Sequence, residues 1–222
     1  ATERGGLHRY TFPASDQAAI ILDLVHGGCF DRPEDLYAEA VGNNRVVGRR
    51  HSWGWSNNQK VYFVIEFSKP FEKFEPIGEE NWYYRIHFNT EEGEQIGVKV
   101  ALSSTSPEGA ELNFNAEVKE KDFDTVRKET YDKWNAELNK IRIYGATEKQ
   151  NEIFYTGMYH MYVAPSLFSD VDGTYRGADQ EIHKNPGHDT YTTFSLWDTY
   201  RAKLPLMTIT HPERMDDVIN TM

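Results

Sequence analysis

The residues of this sequence best placed to do chemistry lie in one short segment, residues 195–201, which reads Ser-Leu-Trp-Asp-Thr-Tyr-Arg. Trp197 next to Asp198, with Arg201 one helical turn later, offers a flat apolar face beside a hydrogen-bond acceptor and a cationic donor. Carbohydrates are bound by that mixture, because a sugar ring presents C–H patches and hydroxyl groups together. The alternative is helix packing, with Trp197 in the core and Asp198 paired with Arg201. Spacing alone favours this alternative, since such pairs are common on helices.

The segment before it, residues 166–188, is rich in Gly, Asp, His and Asn. Its length and polarity favour a functional loop. Its histidines and some of its acids could suggest a metal site: Asp179, His183, His188 and Asp189. Their spacing matches no zinc motif. Asp170 and Asp172 partly match a calcium loop, but no glutamate follows at the required position. A solvated loop is therefore the better interpretation.

A second aromatic group is Trp53 and Trp55, two residues apart, which on a strand would face the same side. They could form a platform for a sugar at a domain edge. Ordinary packing within a sheet sandwich is the commoner outcome for such a pair.

Composition excludes several classes of protein. The 222 residues include 24 Lys+Arg and 35 Asp+Glu, giving a net charge of −11, and 14% are aromatic. Such an aromatic content excludes a disordered chain, and no apolar run approaches the ~18 residues of a membrane span. An acidic chain with scattered basic residues also lacks the electrostatic signature of a nucleic-acid-binding protein. Cys29 is the single cysteine, so an internal disulfide and cysteine-based zinc sites are excluded.

The elements that must position these residues change character near residue 106. Before it, short alternating or β-branched runs separated by turn residues predict an antiparallel sandwich or barrel, with strands near 7–12, 18–25, 61–67, 82–88 and 95–102. After it, residues at three- or four-residue steps predict helices. Ser106 and Pro107 predict the start of one helix, and the spacing of Thr147 and Gln150 is that of a capping box.

Three further helices are predicted after Thr147. The first buries Ile153, Phe154, Gly157, Met158 and Met161 and stops at Pro165, the second covers residues 191–206, and Pro212 opens the last. Strands followed by helices indicate separate β and α domains. The sequence opens without Met and ends in a helical pattern, so we expect a piece of a longer protein.

Two stretches together resemble glycoside hydrolase family 92, the calcium-dependent exo-acting α-mannosidases found mostly in bacteria. They are Ser-Asp-Val-Asp-Gly-Thr-Tyr-Arg-Gly at 169–177 and Phe-Ser-Leu-Trp-Asp-Thr-Tyr-Arg at 194–201. Further similarity, in order along nearly the whole chain, lies at residues 48–55, 62–63, 100–106, 110–113, 134–138, 154–160, 205–206, 211–214 and 217–220.

The resemblance implies an α+β multidomain fold: an antiparallel β-sandwich followed by helices that begin an incomplete (α/α)₆ barrel. Residues 1–105 would be most of the sandwich, 106–145 a helical connector, and 146–222 the opening helices of the catalytic barrel. Export to the periplasm or beyond is also implied.

The resemblance further implies an enzyme that releases terminal mannose from glycans with inversion, with α-1,2 linkages as the expected substrate. In such enzymes one carboxylic acid protonates the leaving oxygen while a carboxylate opposite activates water. The acid, the base and the Ca²⁺ ligands lie outside this chain, so no catalytic or metal residue is assigned, and the piece alone should be inactive.

What carries over is the terminal-sugar pocket, with Trp197 and Asp198 lining it and Asp198 accepting hydrogen bonds from the mannose O4 and O6 hydroxyls. Arg201 would touch the sugar or orient Asp198, while Asp179 and Arg176 are candidates from their place in the loop. Two alternatives remain: another (α/α)₆ glycosidase or a disaccharide phosphorylase, and a non-catalytic sandwich that binds mannosides.

Overall fold

The computed structural model describes residues 1–27, 30–78, 82–184, 187–192 and 194–222. Cys29 lies outside these ranges. The described part of the chain begins with eight strands: β1 (Gly5–Phe12), β2 (Ser15–Asp23), β3 (Arg32–Val41), β4 (Arg45–Trp53), β5 (Gln59–Phe67), β6 (Lys73–Ile77), β7 (Tyr83–Thr90) and β8 (Glu94–Ser103).

These strands form two antiparallel sheets, one in the order β1-β8-β5-β4-β3 and the other in the order β2-β7-β6. Their facing sides bury a common core that includes Val46, Phe67, Ile86, Phe88 and Ile96. The alternation of the strands places these side chains on one face of each sheet. The predicted antiparallel sandwich is confirmed.

Strands β3, β4 and β6 had not been predicted. β3 is an edge strand of its sheet and carries Pro33 and several charges, which edge strands tolerate because one side of the backbone has no partner. In β4 the arginines make ion pairs: Arg49 with Asp35 at 2.6 Å and Arg50 with Asp31 at 2.6 Å. Charged strands of this kind lack the apolar alternation by which strands are recognised.

Helices follow the sandwich: α1 (Pro107–Glu117), α2 (Phe123–Leu138) and α3 (Glu148–Tyr162), then a small hairpin of β9 (Thr174–Arg176) and β10 (Ile182–Lys184), then α4 (Leu196–Thr199), α5 (Lys203–Thr210) and α6 (Pro212–Thr221). Both predicted caps are present. The Ser106 hydroxyl accepts from the Gly109 amide at 3.1 Å, and Thr147 and Gln150 exchange both hydrogen bonds of a capping box. None of the helices within the described ranges is long and apolar enough to cross a membrane.

Helix α1 joins the two architectures. It packs on the five-stranded sheet, on the face opposite the main core. The contact is made by Ala110, Phe114 and the C-cap residue Val118 on the helix side, and by Val64 and Ala101 on the sheet side. The outer face of this sheet is therefore turned toward the helical region.

The predicted helix over 191–206 is wrong. Tyr191 pairs with Leu167 in an extended bridge, and two separate helices, α4 and α5, replace the single one. Pro205 explains the break, because a proline fits only in the first turn of a helix, where its missing N–H has no intrahelical partner. In α5 it occupies that first turn. The predicted burial of Ile153 and Gly157 in α3 is wrong too, since both are exposed, whereas Met158 is buried.

Candidate functional site

The Trp-Asp pair lies on α4, a helix of four residues. Trp197 is 84% exposed and Asp198 is also exposed, whereas the next residue, Thr199, is buried and donates its hydroxyl to the Ser195 carbonyl at 2.7 Å. The turn is thus held from its buried side while its indole and carboxylate point outward. The interpretation that Trp197 packs in the core is wrong for the described structure.

Arg201 does not pair with Asp198 among the described contacts. Its Nε donates to the hydroxyl of Tyr200 at 2.7 Å, and its guanidinium carbon lies 5.5 Å from the centre of the Tyr200 ring. The predicted ion pair between Asp198 and Arg201 is therefore absent from the described residues. The side chain of Arg201 is exposed, next to the Trp-Asp pair in sequence.

The segment before α4, residues 166–192, is here called the site loop, and its described ends lie side by side. Its two ends run antiparallel: the Phe168 amide donates to the Thr190 carbonyl at 2.7 Å, and the Thr192 amide donates to the Ser166 carbonyl at 2.8 Å. The Tyr191 amide also donates to the Thr221 hydroxyl of α6 at 3.2 Å. Because α4 begins shortly after these paired ends, the root of the site loop helps to set where the Trp-Asp pair stands.

Arg176, a predicted sugar contact, points into the protein. Its Nε donates to the Ser104 carbonyl at 3.0 Å, one terminal nitrogen to the Thr105 carbonyl at 2.9 Å, and the other to the Gln180 carbonyl at 2.8 Å. Burial lowers the pKa of His51 on β4; the Asp35 carboxylate partly offsets this, and the more weakly acting positive charges of Lys60, Arg49 and Arg176 lower the pKa further. Arg176 therefore brings the site loop close to the outer face of the five-stranded sheet.

Asp179, the other loop candidate, is bound within the loop itself. Its carboxylate accepts from the Glu181 amide at 3.0 Å and lies 2.9 Å from His183 Nε2. These two partners, the amide first, hold the pKa of Asp179 below its usual value. The Asp179 side chain is exposed. Among the contacts of the described residues, none joins Asp179 to the Trp-Asp pair.

The described residues of the loop do not form a calcium site. Asp170 is buried, and both of its oxygens are taken by side-chain donors: Ser103 and Thr105 at one oxygen, and Asn113 at the other. Asp172 accepts from the Thr174 amide at 3.0 Å. Across the described ranges no group of three or more His, Cys, Asp or Glu is arranged to hold a metal ion. These residues therefore do not fit the ion that the family resemblance implies.

The two tryptophans of the sandwich also differ from expectation. Strand β4 ends at Trp53, so Trp55 lies beyond it and the same-face argument does not apply to the pair. Trp53 is 42% exposed and Trp55 67% exposed, so packing in the sandwich core is wrong for both. The Arg32 guanidinium lies 5.3 Å from the centre of the Trp53 ring.

One supporting group had not been recognised from the sequence. His211, at the start of α6, is 2% exposed, with Nε2 2.6 Å from a Glu137 oxygen of α2 and Nδ1 2.8 Å from the Thr210 hydroxyl. Burial raises the pKa of Glu137, but its hydrogen bonds from Lys140 and His211 outweigh this, and the net pKa is lowered. A histidine beside a proline helix start gives no sequence signal of such a distant partner.

Comparison with known proteins agrees with the fold and the sequence motifs. The glycosyl hydrolase family 92 N-terminal domain model matches residues 1–103, and the glycosyl hydrolase family 92 catalytic domain model matches residues 109–222. A search of curated proteins gave no significant match.

Solved structures are similar over the whole chain. The family GH92 α-mannosidase BT3965 from Bacteroides thetaiotaomicron has 32% identity and a TM-score of 0.91, covering 100% of this chain and 32% of that one. The inverting mannosidase BT2199 from the same organism has 26% identity and a TM-score of 0.86, and the match covers 100% of this chain and 31% of the BT2199 chain. The chain thus spans about a third of the length of the structures it matches. The similarity is consistent with helices that begin an α/α barrel.

Proposed function

This chain belongs to glycoside hydrolase family 92, and we propose that it supplies the sandwich and first helices of an exo-acting α-mannosidase that releases terminal mannose with inversion. Family membership sets aside a disaccharide phosphorylase. The expected substrates are mannose-containing glycans with α-1,2 linkages, and the expected location is the periplasm or the cell exterior. These finer points are supported by the family resemblance.

The observation that carries the proposal is the outward display of Trp197 and Asp198 on a short helix whose other side is buried. An exposed indole costs hydrophobic free energy, which a bound ligand can recover by covering it. A pyranose ring fits, because its C–H face packs on an indole while its hydroxyls donate to a carboxylate beside it. Hydrogen bonds to a charged acceptor are about twice as strong as those between neutral groups.

We assign Asp198 the O4 and O6 hydroxyls of the terminal mannose. An internal sugar extended at either position has lost that hydroxyl to a glycosidic bond and cannot donate. The contact therefore selects chain ends, which is what exo-action requires. Arg201 stands next to this pair and is proposed to act on the same sugar, whereas Arg176 and Asp179 are proposed to hold the site loop, given the partners they already have.

Catalysis needs two carboxyl groups on opposite faces of the sugar, about 6.5–9.5 Å apart in inverting enzymes. We propose that both, together with the calcium ligands, come from the polypeptide beyond these 222 residues. The residues of this chain would bind and orient the mannose for that pair. Each missing acid or base is worth about 10²–10⁴ in rate, so these residues alone should show no measurable hydrolysis.

Surface features of the helices agree with such a missing layer. Ile153, Ile209 and Ile219 are exposed, and an open groove of about 480 Å³ lies between α2 and α3, lined in part by Leu138, Tyr155 and Tyr159. We propose that the further helices of the barrel pack on these faces, because apolar surfaces of this kind mark contact sites.

The test is hydrolysis of an aryl α-mannoside and of α-1,2-mannobiose by the full-length enzyme that contains this chain. Asp198→Ala should lower kcat/KM by about 10²-fold or more, because two hydrogen bonds to a charged acceptor are lost. Asp16→Ala, which removes an exposed carboxylate from β2 of the sandwich, is the matched control and should leave kcat/KM unchanged. Near-normal turnover by the Asp198 variant would refute the assigned role.

A further inference from the structure

Asp170 is a buried carboxylate where the sandwich, α1 and the site loop meet. It is 3% exposed, and its Oδ2 accepts from the hydroxyls of Ser103 at 2.8 Å and Thr105 at 2.5 Å, while its Oδ1 accepts from the Asn113 amide at 2.7 Å. Ser103 ends β8 and Asn113 lies in α1. A single side chain of the loop therefore joins three parts of the molecule.

The donors to Asp170 all come from outside the site loop. Among the described residues no basic side chain forms an ion pair with it, so its charge is offset by these neutral donors. A buried carboxylate left without them is costly, and so are the donors left without the carboxylate. Gly109 leaves space for the Asp170 carboxylate because it has no side chain: a Cβ at this position would lie 2.4 Å from Asp170 Oδ2.

The neighbouring contacts fasten the same part of the loop. The Val171 amide donates to the Asn113 side-chain oxygen at 2.9 Å, and Arg176 donates to the carbonyls of Ser104 and Thr105. Arg4, at the entry to β1, donates from Nε to the Ser169 carbonyl at 2.6 Å. Residues on both sides of Asp170 are thus held to the sandwich and α1.

From Asp170 the fixed geometry continues toward α4. Phe168 and Thr190 are joined by a backbone hydrogen bond, as are Ser166 and Thr192. The segment 190–192, which leads to α4, is therefore held by the segment 166–168 at the start of the loop. The Trp-Asp pair follows after a few residues. Displacing Asp170 therefore displaces the root of α4 with respect to the sandwich.

We infer that Asp170 is a positioning residue: its buried carboxylate fixes the Trp197–Asp198 pair relative to the sandwich and so orients the pair toward the terminal sugar. The part of this inference that concerns the sugar rests on the proposed function. The part that concerns the position of α4 does not, and can be tested by a distance measurement that needs no substrate.

The direct test is a distance measurement by pulsed electron spin resonance. Spin labels are placed at Thr11→Cys on β1 and Leu196→Cys on α4, two exposed positions, with Cys29 replaced by Ser. The parent chain should give one narrow distance distribution. Asp170→Ala should shift it and widen it about twofold, because the root of α4 loses its fixed contacts.

Two further variants keep the test decisive. Thr105→Val removes one donor to Asp170 with little change in shape, so it should fold even where Asp170→Ala does not, and it should widen the distribution in the same direction. Asp172→Ala removes an exposed carboxylate two residues away, whose hydrogen bonds are to Thr174 of the same loop and not to the sandwich or α1, and should leave the distribution unchanged. An unaltered distribution in Thr105→Val and, where it folds, in Asp170→Ala would overturn the inference.

Activity separates this inference from the proposed function. In the full-length enzyme, Thr105→Val should lower kcat/KM on an aryl α-mannoside about tenfold, the loss expected from one hydrogen bond to a charged group, and Asp172→Ala should not. If the unaltered enzyme hydrolyses no mannoside, the proposed function fails while the distance measurement still decides the role of Asp170. If the distances change but kcat/KM does not, the link from position to sugar is overturned.

Discussion

The sandwich and the helical region of this chain bury their apolar residues to different extents. The two sheets enclose a shared core with Phe67, Phe88, Ile86 and Ile96 fully buried. Beyond α1, each of the helices α2, α3, α5 and α6 has a single buried hydrophobic residue, namely Val126, Met158, Met207 and Val218, while other large apolar side chains remain exposed.

This difference indicates that the sandwich core supplies most of the stability of the chain, while the candidate site lies in the helical part. A sandwich that encloses its own core is stable enough to present a fixed surface to the helices. Helices with exposed apolar faces are stabilised when further helices cover them. The Trp-Asp pair lies in the helical part of the chain, which is the less completely buried part. The hydrogen bonds of Asp170 and Arg176 join this helical part to the end of the sandwich, at Ser103 and Thr105.

The largest expected effect tests the comparison directly. Phe88→Ala should lower the free energy of unfolding of the chain by about 3–5 kcal/mol, because it opens a cavity in a fully buried core. Ile153→Ala, at a position 63% exposed on α3, should change it by less than about 0.5 kcal/mol. Chemical denaturation followed by circular dichroism measures both. Equal losses would show that the helical face is already packed and that the two regions do not differ as described.

A smaller effect concerns the joint between the regions. The Arg4 amide donates to Glu117 Oε2 at 2.9 Å and its guanidinium to Oε1 at 2.5 Å, which ties the entry of β1 to the end of α1. Burial raises the pKa of Glu117, but its hydrogen bonds, those from Arg4 among them, outweigh this, so the folded pKa lies below the ordinary value of 4.5.

The sign of the pH dependence follows from that lowered pKa. Between about pH 4.5 and the lower folded pKa, the unfolded chain binds a proton at Glu117 that the folded chain does not, so the stabilisation present at neutral pH is lost as the pH falls through the folded pKa. Glu117→Gln should lower the unfolding free energy by about 2 kcal/mol at pH 7, and the gap to the parent should narrow by pH 3. A gap that is constant with pH would contradict the charge-based role.

The sequence predicted those elements whose cause is local. Ser106, Thr147 and Gln150 bond to amides within one turn, and Pro107 fits a first turn because it has no N–H, so their spacing alone indicated where α1 and α3 begin. Strands with regular apolar alternation were found for the same reason. The charged strands β3 and β4 were not, because what makes them strands is pairing with distant partners.

The candidate site shows the same limit. The Trp-Asp pair could be singled out from its residue types, but whether Trp197 is buried or exposed depends on how α4 packs, and spacing alone favoured the wrong answer. The structure likewise gave Asp170 and Arg176 partners that lie more than fifty residues away in sequence. Their side chains offered no local pattern from which a buried position could be predicted.

The central claim is that Asp198 accepts hydrogen bonds from the O4 and O6 hydroxyls of a terminal mannose. It is tested most directly by comparing kcat/KM for an aryl α-mannoside and its 4-deoxy and 6-deoxy counterparts, in the full-length enzyme and in its Asp198→Ala variant. Loss of either hydroxyl should cost the unaltered enzyme about tenfold or more and cost the variant almost nothing, because the acceptor is gone. Equal losses in the two enzymes would mean that another group holds these hydroxyls, and the claim would be contradicted.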